Sequence, residues 1–151
     1  MYQYIFFRIG YDTQLAEDLT SETFLKAIEH FDDFDETKSF NAWIYRIAHN
    51  LLVDHYKRSK IETTPLENAE NDVKEEAAFA AEIDRKSLLK KIHFALEKLP
   101  QQQKDVVILK YVNELDTKEI AHSLDMEESH VRVLLSRATQ TLNKQFSFFK
   151  D

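Results

Sequence analysis

The sequence predicts an all-α fold, for three reasons. The 151 residues include one Gly and two Pro, so the tight turns of a sheet protein would have few residues to form them. Leu, Ala, Glu and Lys, which all favour helix, are plentiful. Apolar residues recur three and four positions apart, as on one face of an amphipathic helix. We expect two small helical modules joined by an acidic, flexible linker.

The distribution of charge indicates where this linker lies. The net charge of −7 divides into −3 for residues 1–60 (7 bases, 10 acids), −6 for residues 61–85 (2 bases, 8 acids) and +2 for residues 86–151 (11 bases, 9 acids). An acidic middle with few large apolar side chains is typical of a connector, although a solvated helix would give the same count. We predict a first module over residues 1–59, a linker over 60–85 and a second module over 86–151.

The first two helices are predicted from their end signals. Tyr4 and Ile5, followed closely by Gly10, indicate the last turns of a helix that Gly10 ends. Asp12 can cap a second helix that runs to about His30. Its predicted apolar face consists of Leu15, Leu19, Thr23, Phe24, Leu25 and Ile28.

The third helix completes the first module. It is expected from about Phe40 to Arg58, after a segment over residues 31–39 that breaks the helical period. The residues predicted to be buried in it are Phe40, Trp43, Ile44, Ile47 and Leu51. The opposite face presents Arg46, Asn50 and Lys57.

The second module has the pattern of a helix-turn-helix. One helix carries apolar residues from Leu88 to Leu99 and ends before Pro100, which begins the next. Further on, Asp116 to Glu119 has the form of a capping box that opens a short helix. A turn at Asp125 and Met126 follows. The last helix turns four apolar residues inward at spacings of four, three and four: Val131, Leu135, Ala138 and Leu142.

Two segments of the chain resemble a known family. Residues 96–142 resemble the DNA-binding fourth region of bacterial sigma factors; their sequence is LEKLPQQQKDVVILKYVNELDTKEIAHSLDMEESHVRVLLSRATQTL. The second region, which binds polymerase and reads the minus-10 element, resembles AEDLTSETFLKAI followed by FNAWIYRIAHNLLVDHYKRSK. Both segments, in this order and with no third region between them, resemble the extracytoplasmic-function group. This resemblance implies a three-helix second region, a helix-turn-helix fourth region and promoter-specific initiation of transcription.

The sequence departs from the family pattern at a few positions. Less of the first helix precedes Tyr2 than is usual, and Ser21 replaces a common Gln. Asp125 stands where the turn usually has Gly, and it tolerates a left-handed backbone less well than Gly. Relatives often carry bases late in the recognition helix, where this chain has Leu134, Thr139 and Gln140.

Three sets of site residues follow. The spacing of the last helix turns one set toward minus-35 DNA, with Arg132 as the guanine reader and Arg137 as a phosphate contact: Ser129, His130, Arg132, Val133, Ser136 and Arg137. The minus-10 set combines an acidic loop, which the resemblance implies receives an unpaired base, with the exposed side of the third helix: Asp32, Asp33, Asp35, Asn41, Arg46, Asn50, Lys57 and Arg58. The polymerase-binding set, implied by the resemblance, is Asp18, Ser21, Glu22, Phe24 and Leu25.

Each set also has a plainer interpretation. The polymerase set could be an ordinary amphipathic helix, the acidic loop a solvated turn, and the basic residues of the third helix a solubilising face. Trp43 could stack on a base but lies on the apolar stripe, which favours packing in the core.

Other classes of function are disfavoured. There is no Cys, the six His form no metal-ligand pattern, and we expect no metal or other cofactor. His49 and Asp54 could suggest acid–base chemistry, but no Gly-rich phosphate loop, nucleophile motif or paired acids accompany them, so we do not expect an enzyme. The sequence has no apolar run of about 20 residues and no signal-peptide pattern, which predicts a cytoplasmic protein without membrane insertion.

The expected partners are core RNA polymerase, promoter DNA and, as is common among relatives, an anti-sigma factor, with no small-molecule substrate. Two alternatives remain at this stage. A stand-alone helix-turn-helix repressor or activator would need a dimer interface, and no heptad seam is evident. A protein-interaction adaptor that has lost DNA binding is consistent with the few bases of the last helix.

Overall fold

A computed structural model describes residues 1–62 and 80–147 of the chain. Within these ranges every regular element is a helix, which confirms the predicted all-α class. The elements are α1 (Tyr2–Arg8), α2 (Thr13–Glu29), a 3₁₀ turn (Phe31–Asp33), α3 (Phe40–Glu62), α4 (Ala80–Glu97), α5 (Gln101–Val107), a π-helical turn (Ile108–Val112), α6 (Thr117–Leu124) and α7 (Glu128–Ser147). We call α1–α3 module one and α4–α7 module two.

The helix ends follow the local signals in the sequence. Gly10 follows α1 with a φ of +75°, a conformation that costs a glycine little. The Asp12 carboxylate accepts a hydrogen bond from the Leu15 backbone N–H at 2.9 Å and so caps α2. Asp116 and Glu119 form the predicted capping box, with bonds of 2.8 and 3.0 Å. These signals are local, so tertiary packing did not change them.

The turn of the helix-turn-helix also has the predicted geometry. Asp125 ends α6 in the left-handed region, with φ and ψ of 55° and 52°. The backbone N–H of Met126 then donates to the carbonyl of Ala121 at 2.9 Å, which satisfies one end-of-helix acceptor. An Asp therefore adopts a conformation for which Gly is the usual residue.

Several predicted core positions are wrong. Leu25 and Ile28 of α2 are 61% and 73% exposed, and Phe24, Phe40 and Leu88 are also exposed. Leu19 and Thr23 of the predicted face of α2 are buried, together with two small residues that were not predicted, Ala16 and Ala27. Small residues let helix backbones approach closely, and the neighbouring larger side chains are then left outside the contact.

The recognition helix α7 requires one further correction. Leu134, which was not among the residues predicted to point inward, is 5% exposed and belongs to the core. Val131 and Ala138 are fully buried, whereas Leu135 and Leu142 only pack against the edge of the core. The apolar face of α7 is therefore rotated slightly toward Leu134.

The two modules share one core. Buried residues of module one, including Tyr4 and Ile5, belong to the same apolar cluster as Val106 and Ile108 of module two. Helix α3 packs along α6, and α1 packs against the π-helical turn. The two units that the sequence predicts therefore pack against each other among the described residues. α3 reaches Glu62 and α4 begins at Ala80, so both enter the predicted linker, whose residues 63–79 lie outside the described ranges.

Candidate nucleic-acid interface

The outward face of α7 brings together all six residues predicted to read minus-35 DNA. Each of them is exposed, because burial of Val131, Leu134 and Ala138 fixes the rotation of the helix. The exposed residues are Ser129, His130, Arg132, Val133, Ser136 and Arg137. This face offers two permanent cations, two hydroxyl groups and one apolar side chain, Val133, which is 45% exposed.

Arg132 has a partner that the sequence analysis did not assign. Its Nη2 donates to Glu128 Oε2 at 2.8 Å, one helical turn away, and the two side chains are 65% and 42% exposed. An exposed pair of this kind contributes only about 0.2–1 kcal/mol. A base edge or a phosphate could therefore replace Glu128 at small cost.

The predicted minus-10 residues of α3 lie in two environments. Asn41, Asn50, Lys57 and Arg58 are exposed. Arg46 is half-buried, and its Nη2 lies 3.3 Å from Asp125 Oδ1 in the turn before α7. The structure therefore ties one predicted DNA contact of module one to the helix-turn-helix of module two.

The three predicted aspartates of the acidic loop make different contacts. Asp35 Oδ1 accepts bonds from the backbone N–H and the hydroxyl of Thr37, at 3.0 and 2.6 Å. These bonds lower the pKa of the exposed Asp35, so it holds the loop as a carboxylate. Asp33 lies 3.4 Å from His30. Asp32 borders an open groove and makes no such local bond among the described residues.

This groove is an aromatic-lined feature that the sequence analysis missed. It has a volume of about 480 Å³ and lies between α2, the 3₁₀ turn and the start of α3. Its lining is Phe24, Ala27, Ile28, Phe31, Asp32, Phe40, Trp43 and Ile44. Trp43 is half-buried, with its ring centre 5.0 Å from Phe34 and 5.7 Å from Phe40. The ring therefore packs at the edge of the core and also forms part of the groove wall.

The predicted polymerase-binding residues form one surface of α2. Asp18, Ser21, Glu22 and Leu25 repeat at the spacing of one helix face, and all are exposed. Phe24, 47% exposed, lies beside them, and Ile28 extends the apolar part by one turn. Apolar anchors surrounded by carboxylates and a hydroxyl suit a protein partner better than bulk water.

His49, considered above for acid–base chemistry, has a structural partner. Its Nδ1 lies 3.1 Å from the hydroxyl of Tyr4, whereas Asp54 is exposed. Burial is the main cause that lowers the pKa of His49, so the ring is neutral near pH 7. Within the ranges that the structure describes, no group of three potential metal ligands comes together. None of the described helices is long and apolar enough to cross a membrane.

Comparisons with known proteins match both modules. The family model for Sigma-70 region 2 matches residues 2–61, and that for Sigma-70 region 4 matches residues 89–142. The chain is 34% identical to the ECF RNA polymerase sigma factor BldN of Streptomyces coelicolor over 94% of its own length and 54% of that protein. It is 29% identical to the ECF sigma factor SigW of Bacillus subtilis, over 96% and 82% of the two chains.

The fold is also found among solved structures. The sigma factor RpoE of Bartonella quintana, solved in complex with the anti-sigma factor NepR, superposes with a TM-score of 0.74 at 17% identity. The superposition covers 97% of this chain and 89% of that one. The chain spans about half the length of BldN and about four-fifths that of SigW.

Proposed function

Since this chain belongs to the sigma-70 family of RNA polymerase sigma factors, in its extracytoplasmic-function (ECF) group, we propose that its two modules divide promoter recognition between them. Residues 1–59 would bind polymerase and the minus-10 element, and residues 86–151 would bind the minus-35 element. The main support for this division of roles is that region 2 matches module one and region 4 matches module two. Each module also exposes its own set of polar residues.

Module two would place α7 in the minus-35 major groove. Arg132, in the second turn of the helix, is positioned for a bidentate bond to guanine, and Arg137, further along, for a phosphate. Val133 can contact a thymine methyl group, and the remaining exposed residues can donate to phosphates or base edges. In this placement contacts with DNA would replace the exposed ion pair between Arg132 and Glu128.

Module one would hold the separated minus-10 strand. The cationic and amide residues of α3 suit phosphates and base edges, whereas the aromatic groove beside Asp32 suits the face of an unstacked base. Asp32 and Asp33 can accept bonds from base amino groups while repelling the backbone, so they favour a base over a phosphate. Asp35 supports this loop through Thr37.

The mechanism is binding, with no bond chemistry. Contacts with polymerase and with both promoter elements would offset the few kcal/mol needed to unstack a base. The chain has a net charge of −7, so alone it should bind DNA poorly, and polymerase would supply much of the attraction for phosphate. Such a factor would act in the cytoplasm.

An anti-sigma factor is a further proposed partner. RpoE of Bartonella quintana was solved in complex with one, and the exposed apolar residues of α2 offer this chain a surface for a protein partner. Such a partner would compete with polymerase if it covered Leu25 and Ile28.

Run-off transcription with purified core polymerase on a pool of genomic fragments tests the proposal directly. Promoter-specific transcripts that require the added chain are the expected result. A repressor would not co-purify with core polymerase, and an adaptor would co-purify without starting transcription. Either of these two outcomes would overturn the proposed function.

A further inference from the structure

Helix α2 exposes apolar side chains among carboxylates. Leu25 and Ile28 are 61% and 73% exposed, and they lie on the same side of the helix as Asp18, Glu22 and Glu29. All three of these acids are exposed. We call the five residues the acidic face. Large apolar side chains that remain in water beside charges are typical of a surface that binds a protein partner.

Helix α4 exposes a face of the opposite charge. Lys90, Phe94 and Lys98 are spaced four residues apart, so they lie on one side of the helix, and all three are exposed. Lys98 Nζ lies 4.8 Å from the centre of the Phe94 ring, a cation–π contact that keeps the cation beside the apolar group. We call these three residues the basic face. None of them belongs to the three sets of site residues predicted from the sequence.

Other charges of the chain are already paired within it. Arg8 Nε of α1 forms an ion pair with Asp105 Oδ1 of α5, and the two side chains are only 2% and 4% exposed. The Tyr4 hydroxyl donates to the same carboxylate oxygen at 3.0 Å. Lys104 Nζ lies 2.6 Å from Glu97 Oε1, so the carboxylate beside the basic face is neutralised. A partner protein therefore meets the charges of the two exposed faces.

Of the possible pairings of these faces, only the mixed one is attractive. Two acidic faces in contact would set carboxylate against carboxylate, and two basic faces would set ammonium against ammonium. An acidic face against a basic face pairs opposite charges and covers Leu25 and Ile28 with the ring of Phe94. Both faces are exposed on the single chain, so neither covers the other there. A second copy of the chain supplies the complementary face.

We propose that copies of this chain associate head to tail, with the acidic face of one copy on the basic face of the next. Such a contact is heterologous, so each copy of a pair keeps one face free and further copies can add. Two helix faces form a small interface, and the association is therefore weak, reversible and dependent on concentration. It is also sensitive to salt, because exposed charges are screened.

Self-association would compete with polymerase, because the acidic face contains Asp18, Glu22 and Leu25 of the polymerase-binding set. Copies in excess of polymerase would be held in assemblies and released as polymerase becomes available. This consequence rests on the proposed function, whereas the association itself does not. Sedimentation and polymerase capture therefore test the two claims separately.

Analytical ultracentrifugation of the full chain measures the association. The weight-average mass should rise above the monomer mass of 17.9 kDa as the concentration increases from about 1 to about 300 µM, a range that suits a weak interface. It should return toward the monomer mass in about 1 M salt, in which the Debye length is about 3 Å. A monomer mass over the whole range at low salt would overturn the proposal.

Charge reversal tests which faces meet. Asp18→Lys with Glu22→Lys makes both faces predominantly basic, and Lys90→Glu with Lys98→Glu makes both faces acidic. Each double variant alone should associate at least about tenfold more weakly than the unaltered chain. An equimolar mixture of the two should associate again, since acidic and basic faces can then meet. This recovery requires both variants to be folded, so it separates a lost contact from a lost fold.

Lys60→Glu with Lys118→Glu is the matched control. It changes the net charge by the same amount as the reversal on α4, at two exposed lysines of α3 and α6. The control should associate nearly as strongly as the unaltered chain. Equal weakening by the control and by the reversal on α4, or a mixture of the two reversed variants that stays monomeric, would overturn the pairing of the two faces.

Energy transfer between labelled copies tests the competition with polymerase. The chain has no Cys, so Asn143→Cys, at an exposed position, gives a single labelling site for a donor or an acceptor dye. Core polymerase should lower the transfer between copies as it captures them. Capture with unchanged transfer would overturn the competition. If polymerase captures no chain, then the proposed function fails, while sedimentation still decides the association.

Discussion

At the scale of single residues, Arg132 and Arg137 differ in their surroundings. Arg132 is paired with Glu128, whereas Arg137 forms no ion pair among the described residues and stands further from the start of α7. A pair with a carboxylate orients Arg132 but also places a negative charge close to approaching phosphates. Replacement of Glu128 should therefore change affinity, through its charge near the DNA phosphates, more than sequence preference.

We predict that replacing Arg132 and replacing Arg137 affect DNA binding in different ways. Arg132→Ala should cost about 1–3 kcal/mol and relax preference at one minus-35 position, whereas Arg137→Ala should weaken binding to all sequences and reduce the salt slope by about one. Glu128→Gln should tighten holoenzyme binding without a change in preference. Promoter selection and salt titration with the variant holoenzymes measure these effects. Unchanged selection at every minus-35 position by Arg132→Ala would refute the assignment.

His49 makes the free energy of unfolding depend on pH. Burial lowers the pKa of His49 from its ordinary value of 6.5, with a smaller opposing effect of Asp105 and a further lowering by Arg8. The neutral ring faces Tyr4, so the unfolded chain binds a proton more readily than the folded one. The free energy of unfolding should therefore be fully retained above about pH 6.5 and should fall as the pH decreases below that value.

Urea unfolding at pH 7.5 and at pH 5.5 measures this dependence. His49→Gln keeps a hydrogen-bonding group for Tyr4 without a titrating ring, so it should lose less unfolding free energy between the two pH values than the unaltered chain. An equal loss in both proteins would assign the acid sensitivity to other groups.

At the scale of elements, α2 shows what a helical pattern leaves undecided. Its apolar stripe is wide enough to supply both a core face and an outer face, and periodicity alone does not separate them. Packing through Ala16 and Ala27 turned Leu25 and Ile28 outward. The helix ends were predictable because a capping residue acts within three positions of the residues it caps. Which side of the helix is buried depends instead on packing against helices elsewhere in the chain.

We predict that the outer face of α2 binds core polymerase through its carboxylates. Asp18→Lys with Glu22→Lys should abolish capture of core polymerase in a pull-down, because both side chains are exposed beside the apolar anchors. The neutral pair Asp18→Asn with Glu22→Gln should lose less. Circular dichroism checks that α2 remains folded. Full capture by the lysine variant would mean that polymerase binds another surface.

At the scale of the whole molecule, the shared core predicts cooperative unfolding. Trp43, the single tryptophan, reports on module one, whereas far-UV circular dichroism reports on all the helices. The two signals should give coincident urea transitions in the unaltered chain, because one apolar core spans both modules. Separate transitions would show that the modules are independent in solution.

The sequence predicted most of what is local and little of what joins the modules. The helices, the capping box at Asp116 and the outward face of α7 followed from spacing and cap residues. The Arg8–Asp105 pair could not follow, because its members are 97 positions apart and each lies in an otherwise ordinary helical segment. The aromatic groove was missed for a similar reason, since its wall combines α2, the 3₁₀ turn and α3.

The long separation of Arg8 from Asp105 also matters while the protein is being made. Ribosomes add about 5–20 residues per second, so α1 emerges roughly 5–20 seconds before the carboxylate that will neutralise Arg8. During that interval the Tyr4 hydroxyl lacks its bond to Asp105, and α1 lacks its contacts with the π-helical turn. During synthesis the ion pair between α1 and α5 therefore forms only after Asp105 has been added.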